Sequence, residues 1–560
     1  MSAPAASRAT PWHTDAGVRA VGGAMLLAFG VRLALLAQPI ARLDRAFIPD
    51  DTYYTLSIAR SIAHGHGPTA DGTTLTSGFQ PLLGFLMVPV YWFTDSLDWA
   101  LRIDLFLLIV ADTLLVAMLA WIAYRLAGRV AAVVAAVIWA VSPVAMTMAL
   151  GGLETSLAML CEVGLVAAFI WANDRPGTRR WVVVGVIAGL AVLARVDAIL
   201  LVALLALVQV WRGPRNALVP ASIAAGLTLA PWWAWCVVEF GSPLPTSGAA
   251  LHELATYAPF SQHNLALTAG AVSGGPFGNP TALRTWLDDV PARGAVFFLV
   301  LIAALVAIAV VWLRRASITR DDQGKADRSP SGPGNAYAAA AALPLFAVGL
   351  LLFYAWFGVW YFNTRYVAPV QIALALAISV FVARLARRRP ARIGSLALAG
   401  TLAIALGAAV VYDAAMLRKD EPRSHLTLDA ATGFRHSARK VIEITPKDSI
   451  VAAYQSGALS YFGSGRITAI NLDGVVDPDA PSPDVPADTL RYMERRNVQW
   501  LTEWDSLIRK LVNVGPQSPV ALSGREVARF RPLPYVVYRI LRVTDYRHPP
   551  RPGTAPVPPD

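Results

Sequence analysis

Apolar runs long enough to cross a bilayer recur from about residue 17 to residue 413, and this repetition constrains the fold more than any other feature of the chain. A span needs roughly 20 apolar residues. Candidate spans begin near residues 18, 102, 130, 155, 181, 197, 217, 295, 337, 366 and 393. Only 15% of the 560 residues are charged, against about 25% in an average soluble domain. The mean hydropathy is +0.50. A single soluble globular enzyme is excluded, as are a disordered chain and a disulfide-framed one. The expectation is an α-helical polytopic membrane protein of about eleven spans.

The few charges orient it. Phe79 to Phe93 is a doubtful span: it is short, contains Pro81 and Pro89, and runs into acidic Asp95 and Asp98. If it does not cross, Arg125 and Arg129, Arg175 to Arg180, Arg212 and Arg215, Arg314 to Arg328, and Arg384 to Arg392 all fall on the inner side. If it crosses, all of them move outside. The bias of Lys and Arg toward cytoplasmic loops selects the first threading. The N-terminus (1–17) is then cytoplasmic, Val18 to Ile40 is an uncleaved signal anchor, and residues 18–413 form the membrane domain with a large outer loop at 41–101. The net charge of +11 is a topology signal by this reading and gives no reason to expect a nucleic-acid partner. Cys161 and Cys236 lie in apolar runs, so a disulfide framework or zinc site is not expected.

Residues 181–211 carry Arg195 and Asp197 within apolar sequence. One continuous span would put both charges in lipid, at roughly 2.5 to 3.5 kcal/mol each, so the reading splits it into two short spans meeting at the outer face. After Tyr412 the sequence turns polar. Ser449 to Tyr454, Ile467 to Leu472 and Val536 to Val543 read as strands, with Gly457 to Phe462 a short helix. Residues 414–547 are therefore expected to form an extracytoplasmic α/β domain, followed by a disordered Pro-rich tail at 548–560; the inner loop Asp321 to Asn335 reads as mobile.

Unusual polar residues collect on the outer face. Apolar or aromatic side chains at Tyr54, Ile58 and Ile62 predict a helix starting at Asp50-Asp51, with Asp50 at or near its N-cap. Asp50 is equally consistent with a plain cap and with a base or cation ligand. His64 and His66 form a weak metal signal without a third ligand. Glu154, in Gly151-Gly152-Leu153-Glu154-Thr155, stands at the outer end of a span; Arg195 and Asp197 stand at the hinge, and Arg365 and Tyr366 at the mouth of another span. Acids can deprotonate a hydroxyl, and an arginine fork suits a phosphate.

Asp50-Asp51-x-Tyr53, Gly65-x-Gly67 with Thr76-Ser77-Gly78-x-x-Pro81-Leu82, Gly152-Leu153-Glu154-Thr155, Arg365-Tyr366-x-x-Pro369, and Gly457-x-x-x-Tyr461 with Leu472-Asp473-Gly474-Val475-Val476-Asp477 appear in this order. Together they resemble the GT-C superfamily of integral-membrane glycosyltransferases that use polyprenyl-phosphate sugars, such as the aminoarabinose, O-mannosyl and terminal arabinofuranosyl transferases. The Gly-Leu-Glu-Thr and Thr-Ser elements look closest to the arabinofuranosyltransferase-like branch. The resemblance implies a GT-C membrane domain in a bacterial inner membrane. It implies a polyprenyl-phosphate sugar as donor and a glycan, lipid or protein hydroxyl as acceptor. By carry-over Asp50 is the general base with Asp51 beside it, and Arg365 with Arg195 holds the donor phosphate. Tyr53, Glu154, Asp197 and Tyr366 are expected to line the substrate site. A divalent cation is left open, since branches of the superfamily differ. The high Ala, Arg and Pro content suits a GC-rich bacterial genome. A transporter or flippase for a lipid-linked saccharide is the competing class. It gains nothing from an outer α/β domain, and the paired repeats common in transporters are not seen.

Overall fold

The computed structural model describes residues 16–175, 177–253, 258–278, 281–323, 333–358, 364–388, 433–482, 485–513, 518, 520–533 and 536–547. The expected span near residue 393, the start of the α/β domain, most of the loop Asp321 to Asn335 and the Pro-rich tail lie outside the described residues.

Among the described residues, seven helices are long and apolar enough to cross a membrane: Gly17–Leu36, Leu97–Ala127, Thr155–Asp174, Arg215–Phe240, Pro291–Ile318, Gly334–Phe357 and Thr364–Arg387. Arg129–Ala140 and Pro143–Leu150, two apolar helices bent by 54°, make an eighth if the pair is counted as one span. The apolar run beginning near residue 130 predicts one straight span here. Pro143 cannot donate to the preceding turn, and Ser142 Oγ starts the second helix by accepting Ala145 N–H at 3.2 Å. The Ala140 carbonyl left open at this break is taken by Arg32. Its guanidinium donates to Ala140 O at 2.9 Å and to Trp139 O at 3.4 Å, and forms an ion pair of 2.7 Å with Asp112. Arg32 and Asp112 are fully buried.

The chain also breaks where Arg195 and Asp197 predict it. Helix Thr178–Ala194 ends at Arg195, a three-residue 3₁₀ turn Val196–Ala198 follows, and helix Ile199–Arg212 begins. Both helices are shorter than the full-length spans. Phe79 to Phe93 does not cross as one helix: it forms Pro81–Met87 and Val90–Phe93, with Phe85, Leu86, Trp92 and Phe93 exposed.

The C-terminal part is an α/β domain on a mixed five-stranded sheet in the order β2-β1-β3-β5-β4. The strands are β1 Ser449–Ala453, β2 Ile467–Asn471, β3 Trp500–Trp504, β4 Ala521–Leu533 and β5 Val536–Arg547. β1 lies parallel to β2 and β3; β5 runs antiparallel to β3 and β4. Helix Gly457–Gly463 connects the parallel pair β1 and β2, as a parallel crossover requires. Its Tyr461 packs with Tyr53, Leu101 and Leu105 of the membrane domain in one continuous core. The expected strands at 449, 467 and 536 and the helix at 457 are all present; β3 and β4 are additional.

Candidate active site

Pro49 is extended and ends the incoming chain, so helix Asp50–Ala63 starts at Asp50. The expectation that Asp50 caps this helix is half met: it stands in the first turn, but its carboxylate caps another element. Oδ2 accepts Gly457 N–H at 2.7 Å and Oδ1 accepts Ala458 N–H at 2.8 Å, both from the first turn of helix Gly457–Gly463. Glycine is required there, because a Cβ on residue 457 would lie 2.3 Å from Asp50 O. Burial pushes the Asp50 carboxyl up from the usual 3.8 to about 7; the two amide bonds oppose this, and the charges of Asp51 and Asp473 add to it. Asp473, from the loop after β2, is likewise raised by burial to about 7.

Asp51 is 44% exposed and ion-paired with Arg365. From there a chain of contacts runs across the end of the bundle. The Arg365 guanidinium sits 5.0 Å from the centroid of the Tyr366 ring and 3.3 Å from its hydroxyl. Tyr366 stacks on Tyr354 at 5.1 Å. The Tyr354 hydroxyl accepts from Arg195 at 3.3 Å, and Arg195 bridges Glu154 at 3.0 Å and Asp197 at 2.6 Å. Six of the eight residues singled out from sequence are thus joined in one network, with Asp50 covalently next to it.

Tyr53 is the exception. It is fully buried, donates to Asp44 Oδ1 at 2.6 Å and packs its ring 5.7 Å from Tyr461, so it braces the α/β domain and does not line the site. Its neighbour Tyr54, not singled out, accepts Ser456 N–H and Asn471 Nδ2–H at 2.9 Å each. At 100° per residue only one of two adjacent tyrosines can face the site, and the sequence does not say which.

Two further groups escaped the sequence reading. Tyr354 lies inside an apolar span and carries no motif. Asp104 is fully buried, and both its oxygens are without a hydrogen-bond partner among the described residues. It lies behind Glu154, where Gly152 (φ +71°) passes so close that a Cβ would be 2.4 Å from Thr52 Cγ2 and 3.1 Å from Asp104 Oδ2. Arg365 Nε is also buried and has no hydrogen-bond partner among the described residues. An unpaired guanidinium donor beside a half-exposed carboxylate can hold an anion while an acid handles a proton.

Among the described residues, no group of three or more His, Cys, Asp or Glu side chains is arranged to hold a metal ion. His64 is exposed and its Nδ1 lies 2.8 Å from Arg60 O at a helix end.

No family model matches the chain, and neither does any curated protein. Solved structures do. The oligosaccharyltransferase AglB from Archaeoglobus fulgidus, in complex with an inhibitory peptide and a dolichol-phosphate, superposes at a TM-score of 0.52 with 12% identity, covering 88% of this chain and 70% of that one. The enzyme from the same organism tethered with an acceptor peptide gives 0.51 with 13% identity, covering 87% and 69%. ArnT from Cupriavidus metallidurans, bound to undecaprenyl phosphate, gives 0.46 with 15% identity, covering 94% and 97%. The chain has the GT-C fold, in a multi-pass membrane protein with a C-terminal α/β domain.

Proposed function

We propose that the chain is a glycosyltransferase that moves a sugar from a polyprenyl-phosphate donor to an acceptor hydroxyl, at the membrane face that carries the α/β domain. The observation that carries this reading is the convergence of Asp50, Asp51, Arg365, Tyr366, Arg195 and Glu154 at that end of a GT-C bundle. The AglB structure contains a dolichol-phosphate, which is consistent with a lipid-linked donor here.

In this reading Arg365 uses its unpartnered Nε–H on the donor phosphate, with Asp51 and the Tyr366 ring fixing the guanidinium. As the sugar–phosphate bond breaks, charge grows on the leaving oxygen, where a preorganised cation is most effective. Asp50 takes the acceptor proton. A carboxylate offers about four lone-pair sites, so two amide bonds leave capacity for a proton. Pushed up to about 7, the group is only partly ionised near neutrality, but its ionised form is a better proton acceptor than an ordinary aspartate. One displacement without a protein nucleophile inverts the anomeric carbon. Arg195, clamped by Glu154 and Asp197, holds the far wall of the site. The α/β domain covers the site from the extracytoplasmic side and contributes to acceptor choice.

The test is transfer from a panel of radiolabelled polyprenyl-phosphate sugars in membranes containing the full chain. Asp50→Asn is expected to abolish transfer with insertion and expression unchanged. Retained transfer removes Asp50 as base. Uptake of a lipid-linked saccharide into liposomes with no transfer replaces the enzyme by a transporter. Mass spectrometry of surface glycolipids and glycoproteins from a deletion strain would identify the sugar and the acceptor.

A further inference from the structure

The opposite end of the bundle carries a second polar feature. Helix Leu97–Ala127 stops at Gly128, and helix Arg129–Ala140 begins at once. At this junction lies an open hollow of about 580 Å³ lined by Tyr124, Arg125, Arg129, Val130 and Arg387, and no acidic side chain is among its lining residues within the described part of the chain. Gly128 has φ +79°, and a Cβ there would lie 2.8 Å from Arg387 Nη2. The missing side chain lets Arg387 reach over the turn to donate to Ala127 O at 2.5 Å. Arg125 is held from behind by a two-pronged pair with Asp174, 2.7 Å on each prong, and lies 5.2 Å from the centroid of the Trp121 ring. Arg129 and Arg387 are exposed.

We infer that this cavity binds the phosphate of an anionic phospholipid headgroup. Arg129 and Arg387 bring guanidinium charge to one hollow, with Arg125 held beside them by Asp174; guanidinium suits phosphate oxygens in geometry and charge, and basic pockets between membrane helices favour anionic headgroups. A cluster of solvated topology-setting arginines needs neither a cavity nor the backbone and aromatic contacts that fix two of these side chains. Depth selects a lipid over a free anion. Helix Leu97–Ala127 has 31 residues, about 46 Å at 1.5 Å per residue. Asp98, at its start, is paired with Arg435 of the α/β domain. A bilayer with headgroups measures about 40–45 Å, so the cavity sits at the headgroup layer of the far leaflet. Trp121 and Tyr124 flank it as aromatic side chains do at that depth.

The experiment is native mass spectrometry of the full chain released from nanodiscs of phosphatidylglycerol or phosphatidylcholine. The chain should retain phosphatidylglycerol selectively. Arg129→Gln with Arg387→Gln should weaken that retention about 30-fold, Arg129→Lys should keep it, and Arg180→Gln, a charge change elsewhere on the same end, should leave it unchanged. Because Arg387 also holds a helix end, Arg129→Gln alone is measured as well, with an expected loss of about fivefold. Equal retention of both lipids, or equal loss in Arg180→Gln, overturns the site. Displacement of phosphatidylglycerol by millimolar inorganic phosphate overturns the lipid assignment.

Discussion

Single carboxylates set the pH behaviour. Asp50 binds its proton more tightly in the folded chain than in the unfolded one, with pKa about 7 against 3.8. Between these values the folded state holds more protons, so stability falls as pH rises from about 4 to about 7 and is level above that. Asp473 acts with the same sign. Transfer runs the other way, since the base must be ionised. Its rate should climb through an apparent pKa near 7, a value belonging to the coupled acids together. The crossing is measurable as a thermal midpoint that falls while kcat rises over the same pH range; a rate that is flat between pH 5 and 8 would count against Asp50 as base. Asp104 gives a different prediction. Its oxygens are buried without partners among the described residues, so Asp104→Asn should leave Tm unchanged or raised, because an uncompensated buried acid does not stabilise a fold. A drop of several degrees would mean that an unseen partner holds it. The acids and arginines at span ends were legible because a charge beside a long apolar run stands out. Asp473 stood out only within the Leu472–Asp477 motif and not as a site residue, and Tyr354, an aromatic in an apolar helix, not at all; only the folded chain brings them to the site.

Helices and strands were legible to the extent that their own composition decided them. The membrane helices follow from length and hydropathy, and the break at Arg195 follows from the cost of charge in lipid. The bend at Val141-Ser142-Pro143 is different, because it persists through a residue 108 positions away: Arg32 takes the Ala140 carbonyl and pairs with Asp112, whose other oxygen accepts Trp139 Nε1–H at 2.9 Å. Arg32→Met should cost about 3–5 kcal/mol, since it leaves Asp112 charged, buried and unpaired. The double change Arg32→Met with Asp112→Leu should recover most of the lost Tm, read by thermal unfolding in detergent. If the double variant is no better than the single one, the bend depends on the carbonyl contacts and not on the ion pair. Strands β1, β2 and β5 announce themselves by apolar β-branched runs. In β4 (Ala521–Leu533), Arg525, Glu526 and Arg529 interrupt any alternation, and pairing with β5 across three register shifts decides the strand. That information lies in the partner and not in the segment.

At the scale of the molecule, the α/β domain is tied to the membrane domain by carboxylates of the first outer loop. Asp44 accepts Arg435 N–H at 3.0 Å, Asp98 pairs with the Arg435 side chain at 2.8 Å, and Asp71 pairs with Arg496 at 2.7 Å. At the centre, five successive backbone N–H groups after β1 all donate to side chains. Tyr454 and Gln455 donate to Glu503 of the domain itself, while Ser456 donates to Tyr54 and Gly457 and Ala458 to Asp50. The segment therefore contains its own control. Asp50→Ala removes the acceptors of two amides and leaves the two on Glu503 untouched. Hydrogen exchange on the full chain should accelerate at least tenfold at residues 457 and 458 and stay unchanged at 454 and 455, since the exchange rate reports the local opening free energy. Asp50→Asn, with one acceptor oxygen left, should lie between. Faster exchange across all five would mean that the domain itself has loosened, and no change would mean that Asp50 does not hold the domain down. The same carboxylate is proposed as the base, so the two roles separate in Asp50→Asn: docking should survive in part while transfer is lost. A variant in which both fall in proportion would make Asp50 a structural clasp, and Asp51, exposed beside Arg365, the acid left to do the chemistry.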